Sequence, residues 1–101
     1  MITVERNDAL SRYEGRVAGE LVTVVNFVRS GNVLDITHTR TRQRRRGNGF
    51  AGKVTEAALA DIRAEGWKVH PTCPFTVDYL HTHPEYADLR ARWPAGSPLA
   101  G

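Results

Sequence analysis

A chain of 101 residues with 41% hydrophobic and 25% charged residues has room for one core but not two, and is too apolar for a disordered tail. Fourteen lysines and arginines against 11 acids give a net charge of +3, yet without the arginines at 40, 42, 44, 45 and 46 nine bases would face 11 acids. A general nucleic-acid surface spreads its bases along a face, whereas this chain concentrates them at one point, as an anion site does.

The first part of the chain reads as a meander. ITVERN (2–7), SRYEGRV (11–17), ELVTVVNFV (20–28) and VLDITHTRT (33–41) are strand-like, and AGE and RSGN supply turns between the later three. In LVTVVNFV both alternating sets are mostly apolar, which predicts an interior strand covered on both faces. His38 falls in period with Leu34 and Ile36, which predicts an imidazole on the same face as those buried side chains. From Gly49 the period changes: Phe50, Val54, Ala58 and Ile62 recur about every turn, Lys53, Glu56, Asp61, Arg63 and Glu65 can point outward, and Gly66 ends the helix. WKVH (67–70) reads as a short strand, so the span predicts a right-handed crossover with its last two strands parallel.

After PTCP, the segment FTVDYLHTH predicts a second helix with Cys73 at the N-cap and Pro74 at the first helical position, ended by Pro84. EYADLRARW adds a last irregular or helical piece, and PAGSPLAG has the composition of a frayed end. The expectation is an α/β (α+β) fold in one domain over 1–94, followed by a flexible tail over 95–101. One cysteine and no long apolar run make a cytoplasmic protein the default, with no membrane segment. His70, His81 and His83 lack the partners of a zinc pattern, so no metal is expected.

RRRGNG sits where a strand gives way to a helix. Unpartnered N–H groups at the helix start, with glycines that admit a phosphate, make an anion site there. A P-loop lysine and a third dinucleotide-fold glycine are both absent, which leaves Arg44-x-x-Gly47-x-Gly49. The expected donors are the backbone N–H groups around Arg46, Gly47, Asn48, Gly49 and Phe50, with Arg44 and Arg46 as the first side chains.

That pattern resembles the acyl-coenzyme A signature of the GNAT superfamily of N-acetyltransferases. With THT (37–39), PTCPF (71–75) and HPEYADL (83–89) in order, most of the chain is similar to the small GNAT-like, YjdJ-like acetyltransferases. The resemblance implies a minimal GNAT-like fold and an acetyl-coenzyme A site between splayed parallel strands, with Thr39 beside it and the thioester near the ends of VLDITHTRT and WKVHPTC. It also implies an acyl acceptor that is a small molecule or a peptide amine. An acceptor site completed by a second copy of the chain stays open.

Three residues carry the candidate chemistry. His38 is a general base or a hydrogen-bonded core histidine. Cys73 is an acetyl carrier activated at a helix N-terminus or a small buried hydrophobe. The resemblance gives Tyr79 the role of proton donor to the departing thiolate; otherwise it is an amphipathic core ring. One departure stands out: the family pattern carries an acid directly after HT and prolines before the Arg-Gly pair, whereas here Arg40, Arg42 and Gln43 fill those places. Acetyl transfer to an amine or thiol is therefore set against a non-catalytic coenzyme A or acyl-coenzyme A module and an arginine-rich nucleic-acid module. The arginine run lacks the interleaved aromatics that single strands stack on.

Overall fold

The structure, a computed structural model, describes residues 1–91; the expected boundary at residue 94 and the tail over 95–101 lie outside them. Strands β1 (Ile2–Asn7), β2 (Arg12–Val17), β3 (Glu20–Ser30) and β4 (Val33–Thr41) lead into α1 (Phe50–Glu65), β5 (Lys68–Pro71) and α2 (Pro74–Thr82), with 3-10 turns over Gln43–Arg45 and Pro84–Leu89. The strands form one sheet in chain order, antiparallel from β1 to β4 and parallel between β4 and β5. This is the expected mixed α/β architecture. Among the described residues no helix is long and apolar enough to cross a membrane.

One stripe of α1 meets one face of the sheet. Val54, Ala58, Leu59 and Ile62 are buried with Tyr13, Val25, Phe27, Leu34, Ile36 and Val69, and each of the valine, leucine, isoleucine and phenylalanine side chains contributes roughly 1.5–3 kcal/mol. The helix can cross β2 closely because residue 15 is glycine: a Cβ there would lie 2.5 Å from Val54 Cγ2 and 2.9 Å from Ile2 Cδ1. Asp61 does not point away from the sheet as the helical period suggested. Its Oδ2 accepts from the Tyr13 hydroxyl and from Arg6 Nη1, each at 2.8 Å, because a buried phenol needs an acceptor.

The expectation that β3 is covered on both faces fails. Thr23, Val25 and Phe27 are buried, but on the other face Val28 is 59% exposed and Val24 and Asn26 are half-buried. The exposed Glu5, His38 and Arg40 share that second face through the strand register. Apolar residues on both sides of a strand therefore do not imply two covering layers.

The placement of His38 is corrected as well. Phe27 pairs with Ile36 and Asn26 pairs with His38, so Thr37 is left over as a β-bulge. An extra residue on one strand breaks the two-residue period. His38 is therefore exposed beside Asn26 on the open face, while Thr39, opposite Val25, takes the face under α1.

Just before the bulge, β4 and β5 part. Their last pair is Ile36 with Pro71, and the amides of Thr72 and Cys73 both donate to the Ile36 carbonyl, at 3.0 and 2.9 Å. Residues 37–41 of β4 run on without β5 beside them. On the far edge of β5 the Ala91 amide donates to the Val69 carbonyl at 2.8 Å, so the returning chain lies along that edge.

Candidate active site

The loop after β4 is built to present backbone donors. Gly47 and Gly49 have φ of 85° and 73°, a left-handed conformation that a side chain resists. Gly49 is the N-cap of α1, with no side-chain cap and no acid in the first turn. The first bond beyond it runs from the Lys53 amide to the Gly49 carbonyl at 3.1 Å. The N–H groups of Phe50, Ala51 and Gly52 thus have no acceptor within the helix, at the positive end of its dipole. Asn48 braces the loop, its Nδ2 donating to the Arg45 carbonyl at 3.0 Å.

A cleft of about 610 Å³ opens onto these donors, lined by Thr39, Thr41, Arg46, Gly49, Gly52 and Phe75 among others. A larger hollow, about 890 Å³, lies on the open sheet face and includes Val24, Asn26, His38 and Arg40. The glycines line the smaller one; the larger owes its size to the uncovered strands. Both include Thr39, Arg40, Thr41 and Arg46, so they meet at the free end of β4.

The arginines divide into two groups. Arg44 Nη2 donates to Glu20 Oε2 at 2.9 Å, Arg45 Nη2 to Glu20 Oε1 at 2.5 Å, and Arg42 Nε to the Leu21 carbonyl at 2.6 Å. These three hold the loop to the start of β3. Arg44, a first choice from the glycine spacing, is thus turned to Glu20 and does not line the cleft, and neither does Asn48. Arg46 lines it with Gly47, Gly49, Phe50 and Thr39, as do Arg40 and, while still held by Glu20, Arg45. No local signal marked Glu20, which lies 24 residues from Arg44.

Arg45 and then Arg44 hold the Glu20 carboxyl at about 2, below its ordinary 4.5. Its pKa is lowered in the folded protein, so this clamp supports the fold fully above pH 4.5 and is lost as pH falls toward 2. A carbon-detected carboxyl titration is expected to find Glu20 titrating near 2, and Arg45→Ala is expected to return it toward 4.5. An unshifted Glu20 in the wild type would contradict the clamp.

Cys73 occupies the N-cap of α2 with Pro74 following, as expected. The residue is 6% exposed and its thiol donates to Thr39 Oγ1 at 3.5 Å, joining the start of α2 to β4. Burial pushes this thiol up, but hydrogen bonding to Thr39 and to the amides of Thr76 and Phe75 brings it below its ordinary 9.0. Tyr79 stacks on His83 with ring centres 3.8 Å apart and approaches Gly52 in the first turn of α1. Burial is the main cause that pushes its phenol up, so it stays protonated at neutral pH.

Across the sheet from α1, the parting of the strands brings together residues that local reading did not group. Thr72 Oγ1 donates to Asp35 Oδ1 at 2.5 Å, and His70 Nδ1 lies 3.5 Å from the same oxygen. Asp35 pairs with Val28 and His70, one row from Asn26 and His38. An imidazole and a carboxylate–imidazole pair thus flank the strand notch on the open face.

A family model described as GCN5-related N-acetyl-transferase matches residues 12–89. The fold is similar to the solution structure of a GCN5-like protein from Staphylococcus aureus, described as a candidate N-acetyltransferase, with a TM-score of 0.68, 16% identity, and coverage of 95% of this chain and 94% of that one. It is also similar to the ribosomal-protein-alanine N-acetyltransferase of Brucella melitensis biovar Abortus 2308, with a TM-score of 0.56, 19% identity, and coverage of 85% of this chain and 66% of that one. No curated protein sequence matches significantly. At these identities the likeness to both structures concerns the fold.

Proposed function

This chain belongs to the GCN5-related N-acetyltransferase family, and on that premise we propose that it moves an acetyl group from acetyl-coenzyme A to an amine by direct transfer. The observation that carries the reading is the uncapped, acid-free start of α1, bracketed by Gly47 and Gly49 and opening into a cleft beside the unpaired end of β4. Backbone donors at a positive helix end, an adjacent arginine and no competing carboxylate fit a pyrophosphate.

In this reading the amides of Phe50, Ala51 and Gly52, with Arg46, hold the pyrophosphate, and Thr39 borders the arm. Residues 37–41 offer backbone groups along the edge that β5 leaves free, in the manner of an added strand. When bound, acetyl-coenzyme A supplies the activated acyl group as a thioester. His38, exposed on the opposite face beside the notch, takes the proton the amine must lose. Tyr79 borders the cleft through Gly52 and Phe75 and gives a proton to the departing thiolate. Cys73 packs the junction of α2 with β4, its thiol engaged with Thr39, and carries no acetyl group.

Calorimetric titration with coenzyme A and with RNA at two salt concentrations, followed by intact-mass analysis after acetyl-coenzyme A, tests this reading. Coenzyme A is expected to bind at one site and RNA not to bind. Cys73→Ala is expected to keep most of the turnover. An adduct on Cys73 that forms and decays at the rate of turnover would replace direct transfer by an acetyl-enzyme. RNA binding without coenzyme A binding would remove the enzyme reading altogether.

A further inference from the structure

The hollow on the open sheet face carries a charge pattern that the handling of coenzyme A does not fully account for. Its wall includes Arg12, Arg40, Arg42 and Arg46 and no carboxylate. Three of these have other engagements: Arg12 Nε donates to Glu14 at 2.8 Å, Arg42 is tied to the start of β3, and Arg46 Nε donates to the Thr41 carbonyl at 3.4 Å, whereas Arg40 stands where the hollow meets the donor cleft. Arg40 is exposed and has no acidic partner among the described residues. Its register partner is Val24, as Asn26 is that of His38, which puts Arg40 beside His38 on the same face.

We propose that the amine acceptor carries an anionic group, a carboxylate or a phosphate, which Arg40 holds on the open face while the amine lies at His38. This rests on the acetyl-transfer reading and narrows its substrate class. Two residues apart on a strand is roughly 7 Å, a span that a short amine acid bridges. An uncompensated guanidinium offers a paired, charge-assisted contact to such an anion. It repels a polyamine or a lysine-rich peptide, whose second positive charge would lie against it.

The test uses two matched pairs, O-phosphoethanolamine against ethanolamine and β-alanine against its amide, titrated into isotope-labelled full-length protein saturated with coenzyme A. The coenzyme A titration is read first, at the amides of residues 47–52, and its failure would count against the donor site alone. With the donor site filled, the anionic member of at least one pair is expected to shift the amides of Asn26, His38 and Arg40. Its affinity should be about tenfold higher than that of its partner lacking the anion. Which pair responds separates phosphate from carboxylate recognition. Arg40→Gln, measured with the donor site saturated, is expected to erase the preference. The proposal is overturned if the members lacking the anion bind as well, if no shift occurs at these three amides, or if the preference survives Arg40→Gln.

Discussion

Gly49→Val is expected to remove coenzyme A binding, by at least about a hundredfold in calorimetry, from a protein that still folds. A Cβ at this position meets nothing within 4 Å, so the loss does not come from a clash in the free protein. It comes from φ of 73°, which costs an L side chain roughly 1–2 kcal/mol and is relieved by rotating the backbone. That rotation swings the amides of Phe50 and Ala51 away from their common target. Losing two charge-assisted hydrogen bonds, each worth about 1.5–3 kcal/mol, accounts for a hundredfold or more. The strain lowers the melting temperature by about 5–10 °C in a domain of this size. Gly31→Val is the control, since Gly31 also has positive φ and open space at Cβ but lies in the turn between β3 and β4. It should lose similar stability and keep its affinity. Equal loss of coenzyme A binding in both variants would show that the site is not at the start of α1.

His38→Gln is expected to lower the kcat of acetyl transfer about a hundredfold or more, within the usual range for a general base, with coenzyme A affinity unchanged. His38 is exposed and lies across the sheet from the buried core, so the substitution should cost little stability. The limb of the pH–rate profile that reports deprotonation of a base should vanish with the imidazole. The nearby Asp35–His70 pair supplies the decisive comparison. If Asp35→Asn flattens the profile and His38→Gln does not, the base is that pair and His38 only lines the hollow.

Much of this arrangement could be read locally. The bounds of β1 and β4 emerge as ITVERN and VLDITHTRT predicted, because turn residues and alternation are properties of neighbouring positions. The same holds for α1 between Gly49 and Gly66 and for Cys73 ahead of Pro74, where a φ preference or a missing N–H acts within one turn. The left-handed turns before α1 were legible for that reason, since Gly47 and Gly49 permit a positive φ that other residues resist.

What escaped were effects of pairing between distant segments. His38 lay in period with Ile36 until Thr37 found no partner on β3 and the imidazole changed faces. Arg44 looked free for phosphate until the turn before β3 brought Glu20 to within 2.9 Å of it. Asp61 looked solvated until the Tyr13 hydroxyl, buried beneath α1, required its oxygen.

By itself, then, the order of residues determined where the chain turns, where it coils and where its backbone is left-handed ahead of an uncapped helix start, because those outcomes follow from the dihedral preferences and unpaired amides of a few adjacent residues. Only the tertiary structure decided which face His38 occupies, which arginines are neutralised, and that the two hollows meet at the free end of β4. Each of those depends on the register between strands and on the point where β5 leaves β4, and register is set by the packing of the whole sheet against α1.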